Sequence, residues 1–142
     1  MTSVDLDHLK KAAALKASEF VRSGMVVGLG TGSTAKHLLV VLGEQVKAGM
    51  KLRGVPTSQE TAVLAQQAGI HLIDAENRWD IDVAIDGADQ VDPNFNLIKG
   101  GGGALLKEKI VAASAKQFIV MVDHTKQVPV LGGSFPLPIE VI

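Results

Sequence analysis

A short apolar strand that ends in glycines and reopens as a helix constrains this chain more than any other feature. Met25-Val-Val-Gly-Leu-Gly30 reads as that strand and Ala35 to Lys47 as the helix, which stops near Gly49. Such a unit opens phosphate- and nucleotide-binding α/β folds. A helix over Val4 to Val21, with apolar residues at near-helical spacing and Gly24 as its stop, precedes it. A strand at Lys51 to Val55, a helix from Gln59 to Ala68 closed by Gly69, and a strand from His71 to Asp74 follow it. Asp82 to Asp86 is a further strand, Ala104 to Ala115 a helix and Gln117 to Val122 an apolar strand, and the tail from Gly132 to Ile142 ends on an apolar, strand-like run. This alternation predicts a three-layer α/β fold, a mostly parallel sheet flanked by helices, with ligands gathered beyond the carboxyl ends of the strands.

A chain of 142 residues forms one compact domain. Fourteen basic and 15 acidic residues give a net charge of -1, so no general field attracts nucleic acid or an anionic membrane. A bound anion needs a local site. The absence of cysteine excludes disulfides, thiolate nucleophiles and cysteine-ligated metals. The start, MTSVDLDHLKK, lacks the apolar core of a signal peptide, and no run approaches the roughly 20 apolar residues that span a bilayer. A soluble, cytoplasmic protein is expected. His8, His37, His71 and His124 are scattered, so neither a metal site nor a serine–histidine dyad has support.

Four loops after strands hold the residues able to do chemistry. In Gly28-Leu-Gly-Thr-Gly-Ser-Thr34 the glycines let backbone amides approach an anion, and Thr31, Ser33 and Thr34 add hydroxyls beside Gly32. A phosphate suits it, although a tight turn with an N-cap is the competing reading. The dinucleotide fingerprint fails at Ser33, and the P-loop lysine is missing. In Pro56-Thr-Ser-Gln-Glu-Thr61, Thr57 and Glu60 have capping-box spacing, which favours helix initiation over ligand contact. Asp86-Gly87-Ala88-Asp89 places two carboxylates across a glycine turn, fit to address sugar hydroxyls or to serve as an ordinary turn. Lys99 precedes four glycines, Gly100 to Gly103, an arrangement that favours close backbone approach to a ligand. Glu108, between Lys107 and Lys109, reads on its own as a solvated helix charge, and Lys126 as a surface lysine.

Taken together, GLGTGSTA at 28–35, DGADQVD at 86–92, KGGGGALLKEKI at 99–110 and the closing FPLPIEVI resemble the ribose-5-phosphate isomerase A family over nearly the whole chain. The resemblance implies a Rossmann-like catalytic domain over 1–131, with 132–142 the start of a small C-terminal domain that the family continues. It implies that Thr31, Gly32, Ser33 and Thr34 bind the sugar phosphate. Asp86, Gly87, Ala88 and Asp89, with Lys99, Gly100, Gly101 and Gly102, would line the substrate, and Lys126 would contact it. Glu108 would be the proton acceptor, which reverses the reading of it as a solvated charge. One departure is Gln90, where the family has an acidic residue.

The activity implied is the interconversion of D-ribose 5-phosphate and D-ribulose 5-phosphate in the non-oxidative pentose phosphate pathway. Glu108 would move a proton between C2 and C1 through an enediolate, Lys99 and the amides of Gly100 to Gly102 would hold the developing oxyanion, and Asp86 and Asp89 would orient hydroxyls. That chemistry requires no cofactor and no metal. The expected partner is a small sugar phosphate, with neither nucleic acid nor membrane, and the family implies a homodimer or larger homo-oligomer. Alternatives are a non-catalytic sugar-phosphate-binding module, or an amino-sugar phosphate deaminase or acyl-CoA transferase on a related fold.

Overall fold

The computed structural model describes residues 2–73 and 80–141; Asp74, the end of the strand expected from His71, and the terminal Ile142 lie outside them. Helix α1 (Ser3–Ser18) begins where the Thr2 hydroxyl accepts from the Asp5 N–H and the Asp5 carboxylate accepts from the Thr2 N–H. It ends before Val21, whose side chain is still buried, so the apolar pattern outruns the helix. Strand β1 (Val26–Leu29), helix α2 (Ser33–Lys47), strand β2 (Arg53–Pro56), helix α3 (Gln59–Gln67) and strand β3 (His71–Leu72) keep the expected order. Strand β4 (Ile81–Asp86) leads into a two-stranded hairpin, β5 (Gln90–Val91) and β6 (Leu97–Ile98). Helix α4 (Leu105–Ser114) passes into β7 (Ala115–Val120) with no loop, because Ala115 is already extended at φ -88° and ψ 146°. The last strand therefore starts earlier than the expected Gln117. A 3-10 turn, His124–Lys126, follows.

The five long-range strands form one parallel sheet in the order β3-β2-β1-β4-β7. The chain builds outward from β1 to β3, then returns to the other side of β1 as β4. A crevice opens where the order reverses, beyond the carboxyl ends of β1 and β4. Val27, Leu29, Val83 and Ile85 face α1, α2 and α3, packing with Ala14, Leu38, Leu42 and Ala65. Val26, Val55 and Ala84 face Val111 of α4 on the opposite side. Each fully buried Leu, Ile or Val contributes about 1.5–3 kcal/mol, so the two apolar faces hold the layers together. Gly28 permits this spacing, since a Cβ there would lie 2.5 Å from Val111 Cγ1 and 2.9 Å from Ala84 Cβ.

Two expectations need correction. The box of Thr57 and Glu60 does not start α3: Ser58 is the N-cap, accepting from the Thr61 N–H at 3.1 Å. Thr57 still belongs to the strand end, its N–H and hydroxyl both donating to the Leu29 carbonyl, and Glu60 pairs with Lys36 at 2.7 Å. The tail, read as strand-like, has neither helix nor strand over residues 132–141. Pro136 and Pro138 remove ladder donors there, and Leu137, Ile139 and Val141 are exposed. Among the described residues no helix is long and apolar enough to cross a membrane.

Candidate active site

The crevice is a cavity of about 210 Å³ lined by Thr31 to Thr34, Gly87 to Asp89, Lys99 to Gly102, Glu108 and Lys126. Four separate loops thus converge on one space. At its first wall, Gly32 adopts φ +108° as the N-cap of α2, and no side chain caps that helix end among the described residues. The first-turn amides of a 15-residue helix therefore face the cavity with their partial positive charge uncompensated. Lys10 adds a cation there, its Nζ donating to Ser33 Oγ at 2.9 Å, and the Asp7–His37 contact at 2.9 Å ties α1 to α2 beside it. No signal in the sequence marked Lys10, because it reaches the turn only through the packing of α1 on α2.

Opposite lies a buried charge cluster. Asp86, at the end of β4, is 4% exposed; its Oδ1 accepts from the N–H groups of Thr31 at 3.1 Å and Gly87 at 2.8 Å. Its Oδ2 lies 3.1 Å from Lys99 Nζ. Asp86 therefore stands behind the cavity wall, joining the glycine turn to the lysine. Lys99 also donates to the Gly87 carbonyl at 2.5 Å and lies 3.6 Å from Glu108 Oε2. The β5–β6 hairpin aims it, since β6 ends at Ile98 and the Asp89 N–H donates to the Ile98 carbonyl at 2.8 Å. Asp89 Oδ2 accepts from the Gly101 N–H at 2.8 Å, which fixes the glycine loop. A Cβ on Gly101 would meet Asp89 Oδ1 and Phe135 Cζ, each at 2.8 Å.

Glu108 sits in the first turn of α4, where the sequence left it looking solvated. It is 8% exposed, and its Oε2 has no hydrogen-bond partner among the described residues. Burial, and then the charge of Asp86, push its carboxyl up to about 7, against the opposing pull of Lys99. Such a group takes up and releases protons near neutral pH. Lys126 enters the cavity from the 3-10 turn, which Asp123 caps by accepting from the Thr125 N–H at 2.9 Å and from the Thr125 hydroxyl. Burial pushes Asp123 up, but the Thr125 hydrogen bonds and the cations Lys126 and Lys10 hold it below the usual range.

The glycine at position 30 is as necessary as these charges. A Cβ there would lie 2.2 Å from Asp86 Oδ1 and 2.7 Å from Asp86 Cα, which is backbone and cannot swing away. Gly30→Ala is expected to destabilise the fold by about 3 kcal/mol. Gly102→Ala, with nothing within 4 Å, is expected to stay within about 0.5 kcal/mol. Urea midpoints check the contrast, and equal midpoints for the two variants would contradict it.

The sequence model of the ribose 5-phosphate isomerase A (phosphoriboisomerase A) family matches residues 53–142. Ribose-5-phosphate isomerase A of Bradyrhizobium diazoefficiens is 56% identical over 139 residues, covering 98% of this chain and 57% of the relative. The ribose 5-phosphate isomerase A structure from Methanocaldococcus jannaschii superimposes with a TM-score of 0.87 at 43% identity, over 92% of this chain and 58% of that one. A D-ribose-5-phosphate isomerase solved in complex with phospho-erythronic acid gives a TM-score of 0.89 at 46% identity, over 92% of this chain and 58% of that one. The chain thus spans less than two thirds of the length of these relatives. Sequence and fold agree along the span that holds the glycine turn, the Asp86–Lys99–Glu108 cluster and the glycine loop, and this chain belongs to the ribose 5-phosphate isomerase A family.

Proposed function

We propose that this chain interconverts D-ribose 5-phosphate and D-ribulose 5-phosphate by proton transfer. The observation that carries the proposal is Glu108, a buried carboxylate with one unbonded oxygen and a pKa of about 7, in a cavity whose far wall is an uncapped helix N-terminus. The phosphate of the open-chain sugar binds the turn of Gly32, Ser33 and Thr34, with Lys10 and Lys126 beside it. Glu108 then removes the C2 proton next to the aldehyde and an enediolate forms, its charge held by Lys99 and the amides of Gly100 to Gly102. Glu108 returns the proton to C1, while O1 gains the proton that O2 gives up. Two protons move within one substrate, so the step needs no redox carrier. Asp86 holds Lys99 and the glycine turn in register, and Asp89 holds Gly101.

Family membership supports a place in the non-oxidative pentose phosphate pathway, in the cytoplasm, for a homodimer or larger homo-oligomer. It also supports reading residues 1–131 as the catalytic domain and 132–142 as the start of a small C-terminal domain. The test is conversion of ribose 5-phosphate to ribulose 5-phosphate in the presence of EDTA. Because only the ionised carboxylate accepts a proton, kcat/KM is expected to rise with pH through about 7 and then level. Substrate binding with no conversion at any pH from 6 to 9 would overturn the proposal.

A further inference from the structure

Two threonines outside the cavity wall, Thr57 and Thr61, hold the backbone from which the glycine turn springs. Each is 3% exposed. The Thr57 hydroxyl donates to the Leu29 carbonyl at 2.8 Å and the Thr61 hydroxyl to the Gly30 carbonyl at 2.9 Å. A hydroxyl has one proton, so neither can donate to Thr31 Oγ1, which lies 2.7 Å from Thr57 Oγ1 and 3.1 Å from Thr61 Oγ1. The Thr31 hydroxyl donates to Ser58 Oγ at 2.9 Å on the same inner side, and Ser58 donates in turn to Thr61 Oγ1 at 3.0 Å. The single hydroxyl proton of Thr31 is therefore directed inward. Its N–H is committed as well, donating to Asp86 Oδ1. Thr31 lines the cavity with no donor left for a ligand.

We infer that Thr31, Thr57, Ser58 and Thr61 form an inward-facing hydroxyl lock that positions the phosphate turn without any of them donating to the phosphate. The inference rests on the sugar-phosphate reading above and assigns Thr31 a positioning role in place of direct contact. The lock fixes the carbonyls of Leu29 and Gly30, so the amides after Gly32 keep their aim. Phosphate is then held by Ser33, Thr34, the α2 amides and the two lysines.

The probe is inorganic phosphate, titrated against the chain and followed as a competitive inhibitor. Thr61→Val keeps the side-chain shape and deletes one hydroxyl; phosphate affinity is expected to fall about tenfold and KM to rise equally, with kcat within about twofold. Thr61→Ser is expected to restore both. Thr31→Val combined with Thr61→Val is expected to lose no more than the larger single loss, because both break one lock. Fully additive losses would put Thr31 on the phosphate and overturn the inference, as would wild-type phosphate affinity in Thr61→Val. If Thr61→Val does not fold, Thr57→Val carries the same outcomes. A wild-type chain that binds no phosphate would defeat the sugar-phosphate reading itself, a result distinct from failure of the lock.

Discussion

Glu108→Gln is expected to lower kcat by on the order of 10³–10⁴-fold while leaving the affinity for inorganic phosphate within a few-fold of wild type. The amide keeps the size of the carboxyl and cannot accept a carbon-bound proton. Among the described residues no other nearby carboxyl is free to replace it: Asp86 has both oxygens engaged by Thr31, Gly87 and Lys99, and Asp89 is held by Gly101. Near-normal turnover in the variant would remove Glu108 from the mechanism.

The same substitution has a consequence for stability, with a definite sign. In the fold, the carboxyl titrates at about 7 instead of the ordinary 4.5, so the native state holds the proton more tightly than the unfolded chain does. That contribution is fully present below 4.5 and is lost as pH rises through about 7. By pH 8 the ionised carboxylate disfavours the fold by roughly 3 kcal/mol relative to its protonated form. Gln carries no such titration. The melting temperature of Glu108→Gln relative to wild type is therefore expected to climb between pH 4.5 and 7 and then stay level. A difference that does not move with pH would show that the buried carboxylate costs the fold nothing. A protein that keeps this group accepts lower stability at neutral pH, which is the cost of a buried carboxyl that titrates at about 7.

The glycine turn was legible in the sequence because its causes are local: apolar residues, glycines and hydroxyl residues lie consecutively from Met25 to Thr34. The cavity-lining stretches at 87–89 and 99–102 were legible for the same reason, as glycine-bearing loops at strand ends, and the structure brings them together. Glu108 was not legible on local grounds. Between two lysines it looks solvated, and only the packing of α4 across β1 and β4 withdraws it from water; family resemblance, not patterning, singled it out. The aim of Lys99 depends on β5 and β6, strands of two residues each, too short to show an alternating pattern. The start of α3 at Gln59 was legible, but its cap was placed one residue early because Thr57 and Ser58 are both capable caps, and the bond from Thr57 to Leu29, between distant segments, decides which one serves.

Lys99→Met should show how much of the site depends on one buried cation. The lysine is 12% exposed at its side chain and lies between Asp86 and Glu108, with the Gly87 carbonyl as its third partner. Met fills similar space with no charge and no donor, so two carboxyls would share a poorly solvated pocket without the cation between them. Removing one member of a buried ion pair typically destabilises by about 3–5 kcal/mol, and the melting temperature is expected to fall accordingly. Part of that penalty is relieved by protonation. Lys99 is the group that pulls Glu108 down, so without it the carboxyl rises further above 7, and the acid limb of kcat/KM moves to higher pH by about one unit or more. On the plateau above that limb Glu108 is ionised again, and if Lys99 holds the developing oxyanion a loss of kcat of about 10²–10³-fold is expected to remain. A limb that stays near 7 would mean that Lys99 does not set the proton affinity of Glu108; an unchanged plateau would mean that the glycine amides hold the enediolate without it.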